Sequence, residues 1–215
     1  MATGTAGDRP LLSLAEQHIK ALAEHGTVKA YPKNAVIVSE GDRSDSLYVI
    51  LSGKVKVYLA DEEGKEMVLS TQGPGEYFGE IILDEGPRSA SVMTLEPSKF
   101  SIVSRDQFND FLTQNHEVTL ELVRSLIHRV RELTKTVSNL ALLDVYGRVR
   151  GLLLELATEQ DGKLAVERLT QQDMASRVGC AREMISRILK DLRTGGYIKD
   201  DGDRLIIVKK PPPKW

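Results

Sequence analysis

The chain has 215 residues, 41% of them hydrophobic, enough for one or two packed domains and too apolar for a disordered chain. Its single cysteine, Cys180, excludes a disulfide framework, a cysteine-ligated zinc site and a cysteine-held iron–sulfur cluster within one chain. The net charge of −2 is unevenly spread: residues 165–215 carry 11 Lys/Arg against 7 Asp/Glu, so the C-terminal part is the one suited to an anionic partner.

The opening MATGTAGDRP has no basic segment followed by an apolar run, and no later apolar run approaches the length of a membrane span. A soluble, cytoplasmic protein without a secretory signal or membrane partner is the expectation. Residues 11–25 read as a short helix. From Val28 to Val103 the texture changes to short runs of Val, Ile, Tyr and Leu between turn clusters. LYVILSG and KVKVYLA have strand composition, with Val55, Val57 and Leu59 alternating with Lys54, Lys56 and Tyr58, and DEEGKE reads as a hairpin turn. Strands at this spacing, interleaved with glycines, predict a small antiparallel barrel or jelly roll.

At the end of this region FGEIILDEGPRSASV gathers groups suited to an anionic ligand. Gly79 lets a ligand approach the backbone closely, and Glu80 can accept from a ribose hydroxyl. The planar fork of Arg88 suits a phosphate, and Ser89 adds a hydroxyl. A structural ion pair between Glu80 and Arg88 is the competing reading.

The period then lengthens. Val123, Leu126, Val130, Leu133, Val137 and Leu140 recur at alternating intervals of three and four, an a/d pattern with charged residues between. Such a helix packs either on its own barrel or on a second copy. The strict alternation favours a dimer helix. After it come a further amphipathic segment, DVYGRVRGLLLELATEQ, a short strand in KLAVERL, and LTQQDMASRVGCAREMISRILKDL.

This last stretch has the form of a helix-turn-helix. Thr170 stands as an N-cap with Asp173 three residues on, Ala175 is small where two helices cross, and Gly179 permits the turn. Ile185, Ile188, Leu189 and Leu192 form one buried stripe of the second helix, which Gly195 and Gly196 end. The first turn of that helix carries Arg182 and Glu183, with Arg187 one turn on. Arg182 and Arg187 can donate to guanine, whereas Glu183 can accept from cytosine N4, a group of little use for non-specific phosphate binding. YIKDDGDRLIIV reads as a wing, with Lys199 and Arg204 near a DNA backbone, and the tail PPPKW is expected to be loose.

Three stretches in order, GDRSDSLYVILSGKVKV, FGEIILDEGPRSASV and VGCAREMISRILKDL, resemble the cyclic-AMP receptor (catabolite activator) family of bacterial transcription regulators over nearly the whole chain. The resemblance implies an α+β chain in three parts. An N-terminal β jelly roll over 1–112 would bind the effector, a dimerisation helix would span 113–143, and a winged helix-turn-helix would occupy 144–215. It implies cyclic AMP as effector, bound by Gly79, Glu80, Arg88, Ser89 and Thr134. It also implies a homodimer reading a TGTGA–spacer–TCACA palindrome through Thr170, Gln172, Arg182, Glu183 and Arg187, with RNA polymerase as a further partner. Two departures leave the effector open. The Glu80–Arg88 segment is one or two residues shorter than is usual in the family, and Leu133–Thr134 stands where a Thr-Ser pair contacts adenine. Control by cyclic di-GMP, or by no nucleotide, therefore remains an alternative, as does a nucleotide-binding module acting through protein contacts.

No Ser-His-Asp arrangement, metal-ligand spacing or phosphate-cradling loop of the Walker type points to an enzyme. His18, His25, His116 and His128 fall in no haem-ligating pattern, so no haem, metal or iron–sulfur cluster is expected. Cys180 is expected to serve packing.

Overall fold

The computed structural model describes residues 14–43, 45–84, 86–160, 163–167 and 169–214. They divide into two compact units, one drawn from the described residues up to 59 and from 69–133, the other from 60–68 and the described residues from 134 on. Each is described by itself.

The first unit is a jelly roll with three helices. Helix α1 (Glu16–Glu24) is followed by β1 (Thr27–Tyr31), β2 (Val36–Val38), β3 (Ser46–Ser52), β4 (Val55–Ala60), β5 (Glu66–Gln72), β6 (Tyr77–Phe78), a 3₁₀ turn (Glu80–Leu83), β7 (Ser91–Thr94) and β8 (Ser98–Ser104). Two four-stranded sheets result, ordered β1-β8-β3-β6 and β2-β7-β4-β5, in which β1–β8, β8–β3, β3–β6, β2–β7 and β7–β4 pair antiparallel. Between the sheets lie Val38, Ile50, Val55, Val57, Phe78, Val92 and Phe100. Tyr48 stacks on Phe78 at 4.9 Å, and Phe100 meets both rings edge-on. The alternation expected along β4 holds at Val55 and Val57 and fails at Tyr58, which is also buried.

A second apolar cluster joins the roll to helices. Leu22 of α1, Leu47, Tyr77 and Val103 of the roll, Phe108 and Phe111 of α2 (Arg105–Gln114), and Val118 and Leu122 of α3 (His116–Leu142) pack together. Helix α2 is started by a capping box at Ser104 and Gln107. The boundary placed at 112/113 from the sequence falls inside α2, and the long helix begins at His116. The first helix, expected over 11–25, spans Glu16–Glu24, and positions 11–13 lie outside the described residues.

In the second unit Asp144 caps α4 (Val145–Glu155) by accepting from the Gly147 N–H. Strands β9 (Thr158–Gln160) and β10 (Lys163–Glu167) follow, then α5 (Gln171–Val178), α6 (Arg182–Thr194), β11 (Ile198–Asp201) and β12 (Arg204–Ile207). The sheet order is β11-β12-β10-β9. One core of Val149, Leu153, Val166, Met174, Val178 and the apolar stripe of α6 holds these elements together. Arg148 bridges two parts of this unit: its Nη1 donates to the Leu143 carbonyl and its Nε to the Val178 carbonyl, both at 2.9 Å.

The tail corrects an expectation. Pro211 and Pro212 dock on α4, since Tyr146 Oη donates to Pro212 O at 2.9 Å and Arg150 Nε to Pro211 O at 2.8 Å. Prolines donate no hydrogen bond, but their carbonyls accept freely, and Pro211 is buried. Trp215 lies outside the described residues.

Candidate functional site

Glu80 opens the 3₁₀ turn after β6, and the left-handed Gly79 (φ 91°) precedes it. A Cβ on Gly79 would lie 2.7 Å from Arg88 Nη1 and 3.0 Å from the Ser46 carbonyl oxygen, so the position requires glycine both for its conformation and for space. Arg88 is 4% exposed. Its guanidinium donates to the Gly79 carbonyl at 3.0 Å and to the Ser46 carbonyl, while its backbone N–H donates to Asp42 O at 2.9 Å. Burial pulls its pKa below the ordinary arginine value, with Tyr48, Glu80 and Asp45 opposing that shift. Arginine nonetheless stays a cation at any working pH.

Gly79, Glu80, Arg88 and Ser89 line one cleft, together with apolar residues that include Val57 and Phe78. The cleft thus offers a carboxylate acceptor, a cation and a hydroxyl on an apolar floor, the donor and acceptor set of a sugar phosphate. The expected alternative of a Glu80–Arg88 ion pair is overturned. Glu80 pairs with Arg129 of α3, Nη1 to Oε1 at 2.9 Å, with the side chains 22% and 13% exposed. Arg129 also lines the cleft. Sequence reading passed over it as one of several charges between heptad positions. Its partner is 49 residues away, and no local pattern signals it. Thr134 is exposed and is not among the lining residues.

The helix-turn-helix is built as its residues suggest. The Thr170 hydroxyl accepts from the Asp173 N–H at 3.0 Å and donates to the Asp173 carboxylate, which also accepts from the Thr170 N–H. Gly179 (φ 72°) takes the left-handed turn after α5. Met174, Ala175 and Val178 then pack on Ile185, Ile188, Leu189 and Leu192 of α6. Arg182, Glu183 and Arg187 are exposed, and among the described residues none of their side chains has a partner. Gln172 is exposed at the start of α5. Arg193 is otherwise engaged, its fork closing on Asp200 of β11 at 2.9 and 3.2 Å. That bidentate pair ties the end of α6 to the wing, where Lys199 and Arg204 are exposed. Of the two glycines after α6, Gly196 (φ 69°) is the left-handed one and Gly195 is right-handed.

Along α3 the structure redraws the predicted seam. Val123, Val130, Leu133, Val137 and Leu140 are exposed apolar residues, as a surface awaiting a partner requires. Leu126 instead packs against the cluster of the first unit, and Ile127, 48% exposed, takes its place. With Leu120 the exposed stripe reads Leu120, Val123, Ile127, Val130, again at intervals of three and four. Among the described residues no cluster of His, Cys, Asp and Glu could hold a metal ion, and no helix is long and apolar enough to cross a membrane.

Comparisons with known proteins agree with both halves of this picture. Residues 28–115 match the cyclic nucleotide-binding domain and residues 147–212 the Crp-like helix-turn-helix domain. A CRP-like cAMP-activated global transcriptional regulator of Mycobacterium tuberculosis is 34% identical over 195 residues, 88% of this chain and 87% of that one. The cAMP-activated global transcriptional regulator CRP of Pasteurella multocida is 33% identical over 85% of this chain and 90% of its own. Among solved structures, the c-di-GMP responsive global regulator CLP of Xanthomonas campestris superposes with a TM-score of 0.77 at 26% identity, covering 90% of this chain and 99% of that chain.

Proposed function

Because the chain belongs to the CRP-like family of transcription regulators, we propose that it is a homodimer whose affinity for a palindromic DNA site is set by cyclic AMP held in the jelly roll. The observation that carries the effector half is the convergence of Gly79, Glu80, Arg88 and Ser89 on one cleft. In this reading the Glu80 carboxylate accepts from the ribose hydroxyl while Arg129 orients it. The Arg88 cation and the Ser89 hydroxyl hold the cyclic phosphate. The exposed stripe of α3 joins two copies, and the effector favours one arrangement of that seam over another. Each α6 enters a major groove, with Arg182, Glu183 and Arg187 reading base edges of a TGTGA-like half-site. Thr170 and Gln172, at the start of α5, sit against the DNA backbone, and RNA polymerase is the partner that converts binding into regulation in the cytoplasm.

Calorimetric titration of the purified protein with cyclic AMP, cyclic GMP and cyclic di-GMP tests the effector. Saturable binding of cyclic AMP, weakened at least tenfold in Ser89→Ala and Arg88→Lys variants that melt normally, is expected. Binding of cyclic di-GMP alone would overturn the cyclic-AMP reading in favour of the effector of the Xanthomonas relative. Silence from all three would leave DNA binding without nucleotide control. For the DNA half, Arg182→Ala should cost about 1–3 kcal/mol of specific binding and relax one base position. An unchanged preferred sequence in Glu183→Ala would remove that residue from the reading set.

A further inference from the structure

Met184 breaks the pattern of α6. The other apolar side chains of that helix, Ile185, Ile188, Leu189 and Leu192, are all buried in the core of their unit. Met184 is 36% exposed and lies in the first turn, directly after Arg182 and Glu183 and three residues before Arg187. Residues three apart on a helix share a side, so Met184 and Arg187 present their side chains together. Arg182, Glu183, Ser186 and Arg187 around it are exposed and polar. The core does not require an apolar side chain here, since four others already supply the buried stripe.

The first turn of the second helix is the part that enters a major groove. In that groove the base edges display donors, acceptors and a single apolar group, the C5-methyl of thymine. Arginine and glutamate read the donors and acceptors and are blind to the methyl. A methionine is long, unbranched and polarizable, so it can follow a methyl without a fixed rotamer. Resting on the DNA-reading function above, we propose that Met184 is a specificity-determining residue that recognises a thymine methyl next to the base pairs read by Arg182 and Glu183. It supplies the half-site with an apolar readout that the charged residues cannot give.

The experiment uses the full chain and the duplex it selects from a random library, with cyclic AMP present at one concentration and salt held fixed. Each thymine of one half-site is replaced in turn by deoxyuridine, which removes the methyl and leaves every hydrogen-bonding group. Kd is measured for the wild type and for Met184→Ala, with melting curves to show that the exposed substitution leaves the fold intact. At one position the wild type should lose roughly fourfold in affinity, the change expected for one methyl no longer buried. Met184→Ala should show no loss at that position and should bind the thymine duplex as weakly as the wild type binds the uracil one. Equal losses in both proteins at every position, or none in either, would overturn the role of Met184 while leaving sequence-specific binding in place. If no preferred duplex emerges at all, the DNA-reading function fails and this inference fails with it.

Discussion

The Glu80–Arg129 pair can be tested by a double-mutant cycle. Two unit charges about 4 Å apart attract by about 4 kcal/mol at an effective dielectric of about 20. Part of that is spent on desolvation, because the two side chains are only 13% and 22% exposed. Exposed pairs measure about 0.2–1 kcal/mol, whereas removing one member of a buried pair costs about 3–5 kcal/mol. The 2.9 Å contact lies between those regimes, so a coupling energy of about 2 kcal/mol is expected. Arg129→Met should destabilise the first unit because it strands the carboxylate, and Glu80→Gln because it strands the guanidinium. The double variant should be more stable than the sum of the two losses predicts. Urea unfolding of all four proteins at one fixed concentration gives the number, the concentration mattering because association adds to apparent stability. A coupling below about 0.5 kcal/mol would be within ordinary additivity error and would refute the claim that Arg129 holds Glu80 in place.

Tyr77 is 1% exposed, donates to Ser125 Oγ at 3.3 Å, and burial pushes its pKa up to about 12. The raised pKa means the folded state holds the phenol proton more tightly. The stability it contributes is complete below pH 10 and is lost as pH climbs toward 12, so Tyr77→Phe should flatten the alkaline limb of the stability curve relative to the wild type. Ala181 is the N-cap of α6, with extended backbone and no side chain to accept a capping hydrogen bond. Ala181→Ser should therefore add about 1 kcal/mol and raise Tm by about 2–4 °C in calorimetry. Deleting residues 211–215 removes the acceptors of Tyr146 and Arg150 and should cost the second unit about 2 kcal/mol in chemical denaturation, at about 1 kcal/mol per hydrogen bond.

Local signals carried much of the architecture. The Thr170–Asp173 capping box and Gly179 mark the helix-turn-helix because capping and left-handed turns depend on a few adjacent residues. The same holds for Val55 and Val57, whose alternation marks one face of β4. The misreadings came from contacts that sequence spacing does not encode. Helix α3 is apolar on two stripes, one meeting the roll through Val118, Leu122 and Leu126 and one left open through Val123, Ile127 and Val130. A count of apolar residues cannot assign Leu126 and Ile127, adjacent in sequence, to the correct stripe. That Gly79, Glu80, Arg88 and Ser89 line one cleft could be read from the sequence because they sit within one short segment, while Arg129 reaches them only through tertiary packing. The tail was misjudged because polyproline carries no helix or strand signal, and its partners on α4 lie more than 60 residues earlier.

Arg148 serves two masters with one planar group, the backbone carbonyl just beyond the end of α3 and the carbonyl that closes α5 before the helix-turn-helix turn. Both bonds are 2.9 Å long and leave one rigid fork, so the two carbonyls share a single planar tether. Lysine at that position would keep the positive charge and still reach either carbonyl, but a single ammonium on a flexible stem has no fixed span between the two. The helix end and the turn would then lose the tether they share.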